Sequence, residues 1–263
     1  TCENLNGYKA VVLESDDWGA IRMLSKESNE ILKKGRIRIE EDAFCKFDTI
    51  ESKEDIENLV DVLSKFKDIN NRNPQVTCNF ILTNPNFEKI RNVNFEDYYF
   101  ENFYESYEKY RKQDVLSSLL TAYNDGYLYP QLHGREHVNV GLWMNNLKNN
   151  FQETRLAFSQ NIFGISTTIS NEHRKSYMET FAFHNDYEKE IIEQNIKQGA
   201  ILFQNVFGFK SESIIAPNYH WHPKLENTFN DIGVQYIQGT RFQNFYDKSV
   251  TKKRPNYTGK INS

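Results

Sequence analysis

Residues 14–23 read ESDDWGAIRM and place two acids, Asp16 and Asp17, directly after a short apolar run. Adjacent carboxylates repel each other, and neither side chain suits a β-strand. The preceding run YKAVVL, residues 8–13, predicts a strand that ends just before the acids. A helical pattern then extends to Gly35, a residue type that commonly ends helices. The region therefore predicts one strand–helix unit with a polar pair at the carboxyl end of the strand.

The rest of the chain continues this alternation of strand and helix. Ser52 and Asp55 form a capping-box pattern, and apolar residues at helical spacing follow it. The aromatic stretch 95–125 favours helices that pack into the core. Further strands are predicted at QVTCNFIL (75–82), YLYPQLH (127–133), ISTTI (165–169), SIIAP (213–217) and VQYIQ (234–238), with helices over 139–158 and 192–206. This pattern predicts an α/β protein with a parallel sheet, open or closed into a barrel, in a single domain spanning residues 1–263.

Composition narrows the classes of partner. The 263 residues carry a net charge of −4, with Lys and Arg scattered among acids, so we expect no nucleic-acid partner. No apolar run approaches the ~18 residues of a transmembrane helix. Three cysteines, Cys2, Cys45 and Cys78, are widely spaced and indicate neither a disulfide framework nor a thiolate zinc site. No signal peptide is visible at Thr1, and the sequence determines neither compartment nor oligomeric state.

Three polar clusters each follow a predicted strand. They are the pair Asp16–Asp17, the segment LHGREHVNV (132–140) and the segment APNYHWH (216–222). Because the carboxyl ends of parallel strands meet at one edge of a sheet, we expect the three clusters to lie close together.

The spacing of His133 and His137 is typical of metal ligands. Histidines four residues apart can point at one ion, and a carboxylate would complete a three-ligand zinc site that keeps a position for water. One aspartate would bind the cation, while its neighbour would act as a base on that water. Each pattern alone is common in ordinary turns and helices, but their coincidence at strand ends favours a metal site.

Two other interpretations use the same histidines. The sequence His133-x-x-Glu136-His137 matches the inverted zinc-protease motif, in which the glutamate is the base and the motif lies on a helix. Pro130, Gly134 and the strand-like residues before them argue against a helix there. Two histidines and a carboxylate also bind non-haem iron, although a second neighbouring aspartate favours hydrolysis.

With these motifs in this order, the sequence resembles polysaccharide deacetylases of the carbohydrate esterase 4, NodB-homology type, over roughly residues 8–240. The resemblance implies a distorted (β/α) barrel and a hydrolase that removes N- or O-acetyl groups from a saccharide. It implies Asp16 as the catalytic base and Asp17, His133 and His137 as ligands of one divalent metal ion, most commonly Zn²⁺.

The sequence departs from the family pattern near the base. Gly134 stands where the family usually has Ser or Thr, and Ile215 stands where the motif arginine is expected if Pro217 is the motif proline. That arginine orients the catalytic aspartate in the family. Arg22 and Arg135 are the candidates to replace it, and the alternative function is a metal- and carbohydrate-binding barrel with impaired catalysis.

Two further catalytic roles, the oxyanion donor and the general acid, require residues. The resemblance implies that the backbone N–H of Asn218 or Tyr219 stabilises the oxyanion. The family's late histidine motif is not recognisable, so either His220 or His222 is expected to serve as the acid, or the acid lies beyond Ser263. The polar ending, residues 248–263, predicts that the barrel lacks its last element.

Overall fold

The computed structural model describes residues 11–172, 175–247 and 250–256. The strands in those residues are β1 (Leu13–Trp18), β2 (Val76–Ile81), β3 (Thr83–Pro85), β4 (Phe100–Asn102), β5 (Leu128–Gly134), β6 (Ser213–Ile215), β7 (Tyr236–Gln238), β8 (Phe242–Asp247) and β9 (Val250–Pro255). The α-helices are α1 (Lys26–Lys34), α2 (Ala43–Phe47), α3 (Lys53–Ser64), α4 (Phe87–Asn92), α5 (Phe103–Ser106), α6 (Val115–Asn124), α7 (Val140–Lys148), α8 (Gln152–Ser159), α9 (Asp186–Phe207) and α10 (Glu226–Asp231).

Five strands form one parallel sheet in the order β1-β2-β5-β6-β7, so their carboxyl ends lie at one edge. The pairs β3–β4 and β8–β9 are antiparallel. Within the described residues no backbone pairing joins the edge strands β1 and β7, but the Gln238 amide donates a hydrogen bond to the Glu14 carboxylate across the gap. The predicted α/β class with a parallel sheet is confirmed, whereas the closed barrel is not shown.

Several predicted elements need correction. The first strand begins later than expected and includes the two acids, and residues 8–10 lie outside the described part of the chain. The strand predicted at 165–169 is wrong, because Ile165 and Ile169 are buried in a cluster of apolar side chains without pairing to a sheet. The helix predicted over 139–158 is two helices, α7 and α8, separated at Asn150, whose φ of 57° is left-handed.

Helix ends follow local sequence signals. The Ser52 N–H donates to the Asp55 carboxylate at 2.8 Å, and the Asp55 N–H donates to Ser52 Oγ at 3.2 Å, which confirms the capping box of α3. Gly208 ends α9 at φ 80°, where its N–H donates to the Gln204 carbonyl. No helix in the described segments combines the length and apolar content that a membrane span needs.

Aromatic side chains hold the sheet against its helices. The ring of Phe80 on β2 lies 5.8 Å from Trp18, 5.6 Å from Phe103 and 5.0 Å from Phe207 between centroids. These tilted contacts add to the stabilisation from apolar burial. Phe103 and Tyr107, from the aromatic stretch at 95–125, lie in the core as predicted, whereas Tyr99 and Phe100 of the same stretch are exposed.

We predict that Gly19→Ala destabilises the protein more than Gly126→Ala. Both glycines have φ near 80°, so an added side chain costs about 1–2 kcal/mol at either position. At Gly19 a Cβ would also lie 2.7 Å from the Ile81 carbonyl oxygen and 3.0 Å from Phe103 Cβ, whereas at Gly126 it would meet nothing within 4 Å. Urea unfolding should show that Gly19→Ala lowers the free energy of unfolding by about 1–3 kcal/mol more than Gly126→Ala does. Equal losses in the two variants would contradict the close packing at Gly19.

Candidate metal centre

A β-bulge presents the two acids at the end of β1. Ser15 pairs with Cys78 and Trp18 pairs with Phe80, so both Asp16 and Asp17 lie opposite a single residue of β2. Neighbouring side chains of a regular strand point to opposite faces, but a bulge redirects them. Asp17 also has a left-handed φ of 65°. The bulge therefore explains how two adjacent acids can both serve a site at the sheet edge.

His133 and His137 converge on Asp17. His133 lies near the end of β5, and its Nδ1 donates to the Ile215 carbonyl oxygen at 2.8 Å, so that Nε2 is the nitrogen that faces Asp17. The Nε2 atoms of His133 and His137 lie 3.1 Å and 3.0 Å from Asp17 Oδ1. One ligand atom from each of the three residues lies within 4.8 Å of the other two. The predicted ligands are thus brought together.

The donor set fits a divalent cation such as Zn²⁺. Burial opposes ionisation of Asp17, but His137, His133 and Arg22 outweigh it and hold the pKa of this carboxyl well below its usual range. Burial lowers the pKa of His137. A metal site needs an ionised carboxylate and neutral imidazoles, and the two shifts favour these states in Asp17 and His137. Two nitrogens and one carboxylate oxygen suit zinc, although they also suit non-haem iron.

Arg22 contacts the second oxygen of the ligand carboxylate. Its Nη2 lies 2.8 Å from Asp17 Oδ2, and its side chain is buried. Arg22 therefore holds Asp17, the predicted ligand, rather than the predicted base Asp16. Arg135 instead pairs with Glu136, donating from Nη2 at 2.9 Å, and its guanidinium lies 4.9 Å from the Phe100 ring centre. Of the two candidate arginines, only Arg22 contacts the acidic pair.

The predicted base, Asp16, is oriented by an amide. Asn79 on β2 donates from Nδ2 to Asp16 Oδ1 at 2.8 Å, and Asn79 is fully buried. Sequence reasoning did not identify Asn79. The sequence did contain an indication of Asn79, because this polar residue interrupts the apolar strand QVTCNFIL near its carboxyl end. In chain order this strand lies between the acidic pair and the histidine motif. The Ile215 carbonyl could not be identified from the sequence, because every residue has a backbone carbonyl.

The motif His133–His137 does not lie on a helix. β5 ends at Gly134, and residues 135–139 are irregular up to the first turn of α7. The Glu136 carboxylate accepts hydrogen bonds from Arg135 and from Asn195 Nδ2, the latter at 3.2 Å, and is buried. The helix and the free glutamate that the inverted-protease interpretation requires are therefore not found at these residues.

The two histidines after β6 lie in a separate set of contacts. In the described residues no hydrogen bond or ring contact joins His220 or His222 to the three ligands. The His220 ring lies 4.8 Å from Tyr246, and burial lowers its pKa to about 4. His222 Nδ1 accepts the Lys224 N–H at 3.0 Å, and its ring contacts Phe183. The role of either histidine as the acid stays a prediction.

Asn218 and Tyr219 follow β6 in left-handed conformations, with φ of 55° and 53°. The Tyr219 N–H already donates to the Ala216 carbonyl at 2.8 Å, so it is not free to bind an oxyanion in this conformation. Asn218 is exposed and remains the candidate for that backbone role.

No protein-family model matches the sequence, and no curated protein matches it. Several solved structures match this chain, among them three at low similarity. A 4-alpha-glucanotransferase from Thermococcus litoralis shares 9% identity and a TM-score of 0.40 over 86% of this chain and 21% of its own. BC0361, a polysaccharide deacetylase from Bacillus cereus, shares 12% identity and a TM-score of 0.37 over 94% of this chain and 60% of its own. The deacetylase domain of BpsB from Bordetella bronchiseptica shares 10% identity and a TM-score of 0.40 over 86% of each chain.

The chain thus spans about a fifth of the length of the glucanotransferase and about three fifths of BC0361. Backbone similarity at this level assigns no role to any residue. The function must therefore be inferred from the residues of the site.

We predict that ligand and base variants differ in metal content. Asp17→Ala, His133→Ala and His137→Ala each remove a ligand and should lower Zn²⁺ affinity by more than about 100-fold, since loss of a mere supporting residue costs about 10–100-fold. Asp16→Asn removes a base and should keep affinity within about threefold of wild type. Chelator competition measures each affinity, with thermal unfolding as the control for folding. Equal metal loss in Asp16→Asn and Asp17→Ala would contradict the division of roles.

Glu51 supports the turn after the acids. Its carboxylate accepts the Gly19 N–H at 2.9 Å and the Tyr107 hydroxyl at 3.0 Å. Burial raises the pKa of Glu51 from its ordinary 4.5 to about 7. Between these pH values the folded protein binds more protons than the unfolded chain, so this residue's contribution to stability falls as pH rises.

We predict that Glu51→Gln gains stability relative to wild type as pH rises from 5 to 8. The variant cannot ionise, so it avoids the cost of the buried charge, and the relative gain should be about 1–3 kcal/mol. Urea unfolding of both proteins at the two pH values measures it, and taking the difference removes the contribution of the histidines. Glu57→Gln on the exposed face of α3 is the matched control and should show no such gain. A parallel pH dependence in wild type and Glu51→Gln would contradict the assignment.

Proposed function

We propose that this protein is a metal-dependent hydrolase that removes an acetyl group from a saccharide, with an N-acetyl group as the leading candidate. The observation that carries the proposal is the convergence of Asp17, His133 and His137 at the carboxyl edge of the sheet, with Asp16 beside them on the same bulge. The order of the motifs, which resembles that of polysaccharide deacetylases, supports the acetylated saccharide as the substrate class.

The residues around the centre have separable roles. Asp17, His133 and His137 would hold a Zn²⁺ ion, which would supply a water nucleophile near neutral pH. Asp16 would accept the proton of that water, and Asn79 Nδ2 donates to the Asp16 carboxylate at 2.8 Å. Arg22 donates to Asp17 Oδ2 at 2.8 Å and so orients the ligand carboxylate. The Ile215 carbonyl orients His133.

Protonation of the leaving amine needs an acid. Burial lowers the pKa of both candidates, and it lowers that of His220 to about 4. An imidazole with that pKa is neutral at pH 7, so His220 is the weaker of the two. His222 uses Nδ1 to accept the Lys224 N–H, which leaves Nε2 for proton transfer. We therefore propose His222 as the acid, with a donor outside the described residues as the alternative.

We predict that the zinc-loaded protein releases acetate from at least one member of a panel of N- and O-acetylated oligosaccharides. Asp16→Asn should lower kcat by about 10²–10⁴-fold with metal retained, as expected for loss of a general base. His222→Ala should lower kcat by a similar factor. Asp61→Asn on the exposed face of α3 is the matched control and should have wild-type activity.

Each other outcome has a distinct meaning. A wild-type protein that binds one metal ion but releases no acetate from any member would favour a binding module without turnover. Cleavage of peptides in place of acetylated saccharides would favour the protease interpretation. Full activity of His222→Ala would exclude it as the acid while leaving the deacetylase proposal intact.

A further inference from the structure

The chain that leaves β6 passes directly beside the metal centre. Ile215 is the last residue of β6, and its carbonyl accepts the hydrogen bond from His133 Nδ1 at 2.8 Å. Residues 217–219 then form a single tight turn, in which the Tyr219 N–H donates to the Ala216 carbonyl at 2.8 Å. Tyr219 therefore lies one short turn beyond a backbone group that orients a metal ligand.

The backbone of Tyr219 is strained. Its φ is 53°, in the left-handed region, and it follows Asn218 at φ 55°. Asparagine tolerates this region, whereas bulky residues are rarely found there, and those that the surrounding structure holds in it cluster at functional sites. Here the surrounding structure does hold the turn, because Pro217 is buried and the Trp221 N–H donates to the Asn244 carbonyl at 3.0 Å. The conformation of Tyr219 is thus imposed on it.

The side chain of Tyr219 faces the acidic pair. It is 37% exposed, although the next residue, His220, is buried. Burial of the rest of the side chain raises the pKa of Tyr219. The negative charges of three carboxylates on β1 raise this pKa further, namely those of Asp16, Asp17 and Glu14. Because all three acids lie on one strand, the phenol hydroxyl is directed towards the end of β1.

The other side-chain donors beside the acids are already used. Asn79 donates to Asp16 at 2.8 Å, and Arg22 donates to Asp17 at 2.8 Å. Both donors are buried. The Tyr219 hydroxyl, by contrast, donates to no other residue in the part of the chain that the structure describes. Of these three donors, only Tyr219 is exposed and has an uncommitted hydrogen to offer a ligand.

Hydrolysis of an acyl group creates a need for such a donor. When water attacks the carbonyl carbon, a new carbon–oxygen bond forms, the π electrons of the C=O bond move onto the carbonyl oxygen, and Asp16 accepts the proton. Negative charge that develops beside two carboxylates is unfavourable unless a donor faces it. A phenol with a raised pKa keeps its proton at neutral pH, which suits hydrogen-bond donation better than proton transfer.

We propose that the Tyr219 hydroxyl is a catalytic hydrogen-bond donor, which binds the oxygen of the acyl carbonyl and stabilises the oxyanion that forms as water attacks. The choice of an acyl group rests on the proposed function, but it does not depend on the acyl group being carried by a saccharide. The side chain thus takes the part that the Tyr219 N–H cannot, since this N–H donates to Ala216. The role also differs from that of His222, which would protonate the leaving amine.

Tyr219→Phe removes the hydroxyl and keeps the ring. Because the hydroxyl bonds to no described residue, the variant should have the unfolding free energy of the wild type and a Zn²⁺ affinity within about threefold of it. Tyr187→Phe is the matched control, because Tyr187 lies in the first turn of α9 and is 74% exposed. It should behave as the wild type in every assay.

Two substrates separate an oxyanion donor from an acid. One is the tetramer of N-acetylglucosamine, and the other is 4-nitrophenyl acetate, whose leaving group departs without a proton. Both reactions form an oxyanion, so Tyr219→Phe should lower kcat by about 10²–10³-fold with either substrate. His222→Ala should lower kcat for the tetramer alone. Asp16→Asn, measured alongside, gives the ester hydrolysis that does not come from the site.

The outcomes distinguish this proposal from the proposed function. Unchanged kcat in Tyr219→Phe while the wild type releases acetate overturns the role of Tyr219 and leaves the deacetylase standing. A loss confined to the tetramer also overturns it, because Tyr219 would then be a proton donor. Ester hydrolysis that depends on Tyr219, without acetate release from any acetylated saccharide, supports the oxyanion donor and rejects the saccharide substrate. A wild type that hydrolyses neither substrate overturns both proposals.

Discussion

The carboxylate of Asp17, which is 21% exposed, makes the contacts on which the rest of the site depends. One of its oxygens lies within 3.1 Å of two imidazole nitrogens, and the other accepts a hydrogen bond from the buried guanidinium of Arg22. A buried charge is tolerated only when it is paired and hydrogen-bonded. Asp17 therefore joins β1, the end of β5 and the segment after the bulge through one group, and each partner also fixes the position of the others.

This arrangement requires an irregular backbone at the end of β1. Asp17 and Gly19 both have left-handed φ angles, which costs stability at a non-glycine residue. Side chains from other segments compensate for this cost. Asn84 Nδ2 donates to the Gly19 carbonyl at 2.8 Å while its Oδ1 accepts the Ile21 N–H at 2.8 Å, and Glu51 accepts the Gly19 N–H. The core thus holds in place a turn that the local sequence would not stabilise alone.

The segment between β5 and α7 carries one of the metal ligands. The Nε2 atom of His137 lies 3.0 Å from Asp17 Oδ1, and Glu136 and Val138 stand on either side of His137 in the chain. Arg135 anchors this segment, because it pairs with Glu136 and stacks on Phe100. The packing of Arg135 therefore helps to position a metal ligand.

The sequence by itself determined the α/β class, the capping box at Ser52 and the pairing of an acidic motif with a histidine motif. These features depend on local periodicity and on residue chemistry, and both can be read from the order of the residues alone. The sequence also indicated His133 and His137, because their spacing and their place after a strand do not require knowledge of contacts. It did not determine the limits of β1, because a bulge depends on the partner strand.

Only the tertiary structure decided which residues support the centre. Arg22 and Arg135 were equivalent in the sequence, and their roles differ because Arg22 lies across from Asp17 while Arg135 packs against α9. Asn79 and the Ile215 carbonyl come from strands far apart in the chain, and the sheet order places Asn79 beside Asp16 and the Ile215 carbonyl beside His133. Their contribution arises from proximity in space, and a single sequence contains no direct record of long-range contacts.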